Sequence, residues 1–348
     1  MRIDVHTHIL PRHWPDLEAR YSSRGWLQVR HCEGCRSRLE RDGRLFREVD
    51  SNCFDLDVRL ADCDAQGVTA QVLSTVPVMF SYGQREVEAL DLARFLNDHI
   101  AECVAAVPGR FAGLATVPMQ SPELAAGELH RSVVSLGLAG VQIGTHVEGW
   151  NLDDPALEPF WETADALGAA IFVHPWDMMA QERMPRHWLP WLVGMPAEGA
   201  LAACSLLMGG VVERHPNIRF MLAHGGGSFA ATLPRIEHGF AARPDLCQTR
   251  TTTPPSVLAR RLWADSLVHD PALIGLLRRT YGDDRIALGT DYPFPLGEER
   301  PGAALLAAGL DAGTLQAMFW DNALAWLGPA ASRRLTAAGM APPTGDPR

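Results

Sequence analysis

The sequence predicts an α/β protein: a (β/α)8 barrel of the TIM type with a small β-hairpin inserted after its first strand. Eight short runs rich in apolar and β-branched residues recur along the chain, and amphipathic stretches separate most of them. Most of these runs are continuously apolar, which is typical of parallel strands covered on both faces. Eight such units between residues 2 and 291 fit a closed barrel better than an open, doubly wound sheet.

The elements follow in a regular order. We predict strands at residues 2–6, 68–73, 111–117, 140–143, 170–174, 218–224, 262–265 and 285–291. The clearest helices are 55–67, where apolar residues recur with a spacing near 3.6 before a terminal glycine, and 85–106, a long amphipathic segment. Further helices are expected at about 122–136, 155–168, 198–213, 228–241, 271–281 and 311–327.

One segment, at about residues 24–50, interrupts the alternation. It places Asp42 and Gly43 between two strand-like runs, which is a strong signal for a hairpin. Because this hairpin follows the first strand, it should cover the C-terminal mouth of the barrel, where active sites of this fold lie. No linker, repeat or low-complexity tract divides the chain. We therefore expect one domain over residues 1–340 and a flexible tail at 341–348.

Composition restricts the classes of function. The 348 residues are 47% hydrophobic and have a formal net charge of -10, which argues against nucleic acid or a membrane surface as a partner. We see no apolar run near the roughly 18 residues of a spanning helix and no leader at the N-terminus. The expectation is a soluble cytoplasmic protein. Seven cysteines in so long a chain do not form a disulfide scaffold.

Metal-ligand side chains stand at the ends of four predicted strands. His6 and His8 end the first strand and, two residues apart, share one face of it. His174 ends the fifth strand, His224 the sixth and Asp291 the eighth. A barrel gathers these strand ends around one mouth, and imidazoles with a carboxylate suit a divalent ion, typically zinc, with a position left for water. The pattern therefore predicts a metal centre.

A second, structural metal is an alternative for the insertion. Cys32 and Cys35 form a Cys-x-x-Cys pair, which can be half of a zinc knuckle. The other half would have to come from Cys53, Cys63 or His31. Two free thiols in a hairpin turn are the simpler interpretation.

Several longer motifs resemble a known family. "DVHTHILP", "HPWDMM", "HGGGSF" and "LGTDYPFPLGE" are similar to the amidohydrolase superfamily and, more narrowly, to the 2-amino-3-carboxymuconate 6-semialdehyde decarboxylase family. The similarity runs from residue 2 to about residue 328 and includes residues 64–80, 187–193 and 321–328. The long motifs are specific to this subgroup, whereas His-x-His alone would indicate only the superfamily.

The resemblance implies one zinc ion per chain. Its ligands would be His6, His8, His174 and Asp291. The catalytic residues would be His224, as acid and base, and Asp291. Binuclear members of the superfamily generally bridge their metals with a carboxylated lysine. All 31 basic residues of this chain are arginines, so the missing lysine supports a single metal independently of the resemblance.

The resemblance also implies a small, conjugated, multiply carboxylated substrate. The residues placed near it are Arg47, Arg235, Arg243, Trp188 and Phe294. One arginine reaches a neighbouring subunit's site in the family, which implies a homodimer with a shared arginine. The chain departs from the family at His187, which occupies the position of a tryptophan near the substrate. The family resemblance therefore does not determine the shape of the pocket.

These observations favour zinc-dependent, non-oxidative decarboxylation, with 2-amino-3-carboxymuconate 6-semialdehyde as the leading substrate. The same residues could activate water in a hydrolase or hydratase acting on a related lactone or dicarboxylate, or serve a decarboxylase of an aromatic acid. A non-catalytic metal-binding barrel would predict losses among the five mouth residues, and none is missing.

Overall fold

The computed structural model describes residues 1–31 and 36–339. Its strands, in chain order, are β1 (Ile3–Ile9), β2 (Leu27–His31), β3 (Arg36–Arg41), β4 (Arg44–Asp50), β5 (Ala70–Thr75), β6 (Phe111–Ala115), β7 (Gly140–Gly144), β8 (His146–Val147), β9 (Trp150–Asn151), β10 (Ala170–His174), β11 (Arg219–Leu222), β12 (Trp263–Asp265) and β13 (Ile286–Ala287). Eight of them form one parallel sheet in the order β1-β5-β6-β7-β10-β11-β12-β13.

The two edge strands of this sheet meet. β13 itself is short, but the chain that follows it runs beside β1. The backbone N–H of Val5 donates to the carbonyl of Leu288 at 2.8 Å, and that of His8 donates to the carbonyl of Tyr292 at 2.8 Å. Thr7 and Tyr292 form a parallel bridge. The eight-stranded barrel predicted from the sequence is therefore confirmed.

Helices alternate with the barrel strands. They are α1 (Leu17–Tyr21), α2 (Leu56–Gln66), α3 (Glu86–Ala106), α4 (Pro122–Val134), α5 (Glu158–Leu167), α6 (Met195–Met208), α7 (Val211–Arg214), α8 (Phe229–Ala242), α9 (Pro244–Cys247), α10 (Pro255–Ala259), α11 (Pro271–Tyr281), α12 (Ala303–Ala307), α13 (Ala312–Gln316), α14 (Asn322–Leu327) and α15 (Pro329–Gly339). The last predicted helix, 311–327, is divided into α13, a π-helical turn over Ala317–Asp321 and α14.

One helical stretch differs from expectation. Pro190–Met208, which comprises a π-helical turn and α6, is long and apolar enough to cross a membrane, judged by length and composition only. No such stretch was expected from the sequence. In the structure α6 packs against α8 and β10, and 44% of the most apolar part of this stretch is buried. It therefore belongs to the outer helical layer of the barrel.

Two apolar layers hold the barrel together. One lies inside the ring of strands, and a larger one lies between the strands and the outer helices. The interior layer includes Ile3, Val5, Val72, Leu114, Phe172 and Met221. Each of these six side chains is no more than 1% exposed, as expected for strands covered on both faces. This packed interior supports the polar side chains at the C-terminal mouth.

A register shift in β1 aims both histidines inward. Ile3 and Val5 point into the barrel interior, and strict alternation would then turn His6 outward. The pairing of β1 with β5 shifts between Asp4 and Thr7, which inserts one extra residue in β1. His6 and His8 consequently face inward together. Bulges of this kind commonly re-aim side chains beside active sites.

The insertion after β1 is a three-stranded antiparallel sheet, so the prediction of a simple hairpin was incomplete. β3 and β4 are joined at Asp42 and Gly43, both with positive φ (50° and 72°), as a type I′ turn requires. The additional strand β2 pairs with β3. Buried Trp26 and Leu39 join the apolar cluster that contains Leu10 at the end of β1. Cys32, Cys35 and the predicted tail at 341–348 lie outside the described residues.

Candidate metal centre

The four predicted ligands meet at the mouth of the barrel. The ligand atoms of His6, His8, His174 and Asp291 all lie within 4.8 Å of one another. The two histidines of β1 are fully buried, His174 is 4% exposed and Asp291 is 9% exposed. Such burial is uncommon for four polar side chains unless they share a partner.

The hydrogen bonds of the three histidines fit a bound cation. Each Nδ1 has an acceptor at 2.7–3.0 Å: His6 the Oδ2 of Asp265, His8 the carbonyl of Thr75, and His174 the carbonyl of Pro175. Because these oxygens can only accept, each Nδ1 carries a proton. The three Nε2 atoms are buried without a hydrogen-bond partner. Their free lone pairs point into the cluster, as in metal-binding imidazoles.

The charges of the cluster also favour a cation. Burial raises the pKa of Asp291, but the close approach of His6 and His8 to its carboxylate outweighs burial and holds that pKa well below its usual range. Burial lowers the pKa of His8 and of His174. Burial opposes protonation of His6 too, but the carboxylates of Asp265 and Asp291 raise its pKa to about 10. The carboxylates of Asp265 and Asp291 thus favour positive charge at the cluster, and a divalent ion would supply that charge in place of the extra proton on His6.

His224 stands beside these ligands on a strained turn after β11. Its φ is 55°, and the three following glycines also have positive φ. A Cβ on Gly227 would lie 2.3 Å from the carbonyl oxygen of Pro196, so the turn requires glycine there. The Nε2 of His224 lies 4.0 Å from Oδ2 of Asp291, and 16% of its side chain is exposed. Burial lowers the pKa of His224 to about 4.

A cavity of about 370 Å³ opens above the ligands, and His8, His174 and Asp291 form part of its wall. Its other walls are rich in aromatic residues: Phe46, Tyr82, Trp176, Trp188, Trp191 and Phe294. The structure thus brings the predicted Trp188 and Phe294 to the cavity. His187 does not line it, and Trp191, which sequence reasoning missed, supplies a third indole beside those of Trp176 and Trp188. An aromatic wall suits a flat, conjugated ligand.

Arg47, on β4 of the insertion, also faces the cavity. Its guanidinium carbon lies 4.5 Å from the centre of the Phe294 ring, a cation–π distance. Burial lowers the pKa of Arg47, while the charge of Asp291 acts in the opposite direction. Arg41, on β3, lines the cavity as well and was not predicted. The insertion thus provides the cationic side of the site.

The other two predicted arginines lie elsewhere. Arg235 is exposed on α8, and Arg243 is exposed immediately after this helix. Arg243 donates two hydrogen bonds to Asp245, at 2.9 and 2.7 Å. Neither arginine lines the cavity of its own chain. Within one chain, therefore, only Arg47 of the three predicted arginines reaches the site.

Sequence reasoning also missed Asp265, which ends β12 and has no exposed surface. Burial raises its pKa, but the hydrogen bond with His6 outweighs burial and lowers it. The available signal was its position, since it is a carboxylate at the end of a predicted strand, like Asp291. The fold and these side chains together define a (β/α)8-barrel protein with a divalent-metal site at its mouth.

Comparison with known proteins agrees with this class. Residues 3–328 match the amidohydrolase family. The chain is 50% identical to the 2-amino-3-carboxymuconate-6-semialdehyde decarboxylase of Dictyostelium discoideum, covering 94% of this chain and 92% of that protein. It is 36% identical to the Caenorhabditis elegans protein of the same name, covering 94% of each. This chain therefore belongs to the amidohydrolase superfamily and, within it, to a family of decarboxylases, which are carbon–carbon lyases.

A solved structure shows the same fold. The 5-carboxyvanillate decarboxylase of Novosphingobium aromaticivorans, complexed with manganese and a nitrobenzoic acid, superposes with a TM-score of 0.77 at 22% identity, covering 94% of this chain and 96% of that one. At this identity the likeness supports the barrel architecture alone.

Proposed function

We propose that this chain catalyses the non-oxidative decarboxylation of 2-amino-3-carboxymuconate 6-semialdehyde. The observation that supports this most directly is the joining of two features in one site. Three of the four clustered ligands, His8, His174 and Asp291, line an aromatic cavity, and Arg47 lies on its wall. The 50% identity to a decarboxylase of that name over nearly the whole chain supports this substrate.

The chain's own residues can carry out proton transfer and substrate binding. Loss of CO2 leaves a carbanion-like carbon that must gain a proton. His224, whose Nε2 lies 4.0 Å from Oδ2 of Asp291 and whose Nδ1 has no hydrogen-bond partner, is placed to hold and deliver that proton. Arg47 can hold a substrate carboxylate through two parallel N–H bonds, and the aromatic walls keep the conjugated skeleton flat. A divalent ion at the cluster would act as a Lewis acid toward the substrate.

The proposed ion is zinc, one per chain, held by His6, His8, His174 and Asp291. Imidazole nitrogen and carboxylate oxygen are donor types that zinc takes in proteins. Manganese is the alternative, because the Novosphingobium decarboxylase of similar fold contains it. The absence of lysine from the sequence supports a single ion, since no lysine carbamate can bridge a second one.

We also propose a homodimer. Trp188, Leu192 and Val193 are 42–55% exposed on the segment that leads into α6, and exposed apolar patches commonly mark interfaces. α6 packs against α8, which carries the exposed Arg235. A second copy of this chain seated here would cover the apolar side chains and could bring Arg235 to the neighbouring cavity, where it would join Arg41 and Arg47 in binding the carboxylates of the substrate.

A substrate panel tests the proposal. Metal-loaded enzyme is incubated with 2-amino-3-carboxymuconate 6-semialdehyde, a hydroxylated benzoic acid, a lactone and an amide, and released CO2 is measured beside hydrolysis products. We expect CO2 from the first compound at a rate well above that of the others and above that of the His224→Ala variant. CO2 from the benzoic acid alone would reassign the substrate, and hydrolysis without CO2 would contradict the proposed reaction.

A further inference from the structure

Asp265 is a fully buried carboxylate that the proposed mechanism does not use. Both of its oxygens are engaged by donors. Oδ2 accepts from Nδ1 of His6 at 2.7 Å and from the backbone N–H of His224 at 2.9 Å. Oδ1 accepts from the backbone N–H groups of Gly225 at 2.8 Å and Leu267 at 3.2 Å. One carboxylate therefore receives four hydrogen bonds.

These four bonds join groups that have different tasks. His6 is a proposed metal ligand, and the carboxylate keeps the proton on its Nδ1, which leaves Nε2 free. His224 is the proposed proton carrier, and its backbone has a φ of 55°, a conformation unfavourable for any residue other than glycine. The bonds from His224 and Gly225 to Asp265 hold that turn in place.

We propose that Asp265 is the positioning residue of this centre. It sets the tautomer of His6 for metal binding and, through the same carboxylate, fixes the turn that presents His224. The inference rests on the proposed metal site and on the proposed role of His224. Asp265 would thus act on a proposed metal ligand, His6, and on the proposed proton carrier, His224. It would neither ligate the metal nor touch the substrate itself.

Asparagine is the diagnostic replacement, because it has nearly the shape of aspartate but carries an NH2 group in place of one oxygen. If the NH2 takes the place of Oδ2, it faces two donors, and the proton of His6 must move to Nε2, where the metal would bind. If the NH2 takes the place of Oδ1, the N–H groups of Gly225 and Leu267 lose their acceptor and the turn loses its anchor. Either orientation damages the centre.

The test measures metal affinity without substrate. Zinc and manganese are titrated in competition with a chelator into wild type, Asp265→Asn and the control Glu128→Gln. Glu128 is another buried carboxylate, 1% exposed, and it bonds Arg94 and Arg131 on the outer helices. We expect Asp265→Asn to bind metal about 10- to 100-fold more weakly and Glu128→Gln to bind like wild type, even if it is less stable.

Two further measurements separate positioning from general loss of structure. The 15N signals of His6 in zinc-loaded protein should report the Nδ1–H tautomer in wild type and a changed tautomer or exchange in Asp265→Asn. The rise in Tm on adding metal should shrink in Asp265→Asn while persisting in Glu128→Gln. If Asp265→Asn does not fold, Asp265→Ser, which provides a hydroxyl acceptor and space for water, undergoes the same titrations.

Wild-type metal affinity and an unchanged His6 tautomer in folded Asp265→Asn would overturn the proposal. Equally weak metal binding by Glu128→Gln would also overturn it, because it would show that any loss of barrel stability lowers the metal affinity. Since no substrate is present, a failure of the decarboxylation proposal leaves these results standing. A wild-type chain that binds no metal would overturn the proposed site and this inference together.

Discussion

At the scale of single residues, the hydrogen bond made by Nδ1 decides whether the Nε2 of each histidine is available to bind a metal. His8 and His174 donate from Nδ1 to backbone carbonyls, and His6 donates to a carboxylate. In all three cases Nε2 is left free and buried. His224 differs, because its Nδ1 has no partner and part of its ring is exposed. The first three are therefore suited to ligation and the fourth to proton transfer.

Substituting His224 and His174 should separate these two roles. His224→Ala should keep its metal and lose turnover by about 10²- to 10⁴-fold, the usual contribution of a general acid or base. His174→Ala should instead bind metal at least about tenfold more weakly. Metal content after dialysis and kcat at saturating metal distinguish the two variants. A folded His224→Ala protein without metal would show that the division of roles is wrong.

At the scale of elements, periodicity predicted the barrel because its strands are continuously apolar and its helices amphipathic. The ligands at strand ends followed from that frame. Local sequence patterns did not predict the extra residue in β1 or the pairing of β2 with β3, because both depend on tertiary contacts. Asp265 was missed for a related reason, since its role appears only when β12 is placed beside His6 and the turn after β11.

The insertion sheet should control substrate affinity through Arg47. Arg47→Ala removes the cation that faces the cavity, and a charge-assisted bond of about 1.5–3 kcal/mol corresponds to a loss of about 10- to 100-fold in kcat/KM. Arg47→Lys keeps the positive charge but lacks the planar guanidinium, so it should retain only part of the wild-type kcat/KM. The control is Arg44→Ala on the same strand, exposed and outside the cavity. Unchanged kcat/KM in Arg47→Ala would contradict the assignment.

Helix α3 contributes an acid-sensitive residue. Burial lowers the pKa of His99 to about 4, from 6.5 for the free side chain. Below pH 6.5 the unfolded chain therefore binds a proton that the folded chain excludes, so stability falls as the pH drops toward 4. The free energy of unfolding can be measured in urea at pH 7, 6 and 5. As the pH decreases, it should fall less in His99→Gln than in wild type, and the difference should be up to about 1.4 kcal/mol per pH unit. His130→Gln, an exposed change on α4, should follow wild type, and equal slopes for all three proteins would contradict the prediction.

At the scale of the whole molecule, the proposed dimer would add an arginine of the neighbouring chain to the cations of each site. Arg47 and Arg41 line the cavity, whereas Arg235 is exposed on α8. The apolar surface around Leu192 and Val193 leads into α6, which packs against that helix. These observations support a dimer in which each chain completes the site of the other.

Mixed dimers test whether Arg235 acts across the interface. An Arg235→Ala chain is combined with a His224→Ala chain, each inactive as a homodimer. If the arginine acts on the neighbouring site, the heterodimer has one site with both defects and one intact site. About half of the wild-type activity per dimer should then return. If it acts within its own chain, every site retains one defect, and no recovery in a verified heterodimer would contradict the shared arginine.

We propose that one divalent ion, held by His6, His8, His174 and Asp291, is required for CO2 release. Titrating metal-free enzyme with zinc while following CO2 release from 2-amino-3-carboxymuconate 6-semialdehyde tests it most directly. Activity should be absent without metal, rise in proportion to the zinc added and level off at one ion per chain. Activity that survives complete removal of metal, or that needs two ions per chain, would contradict the account.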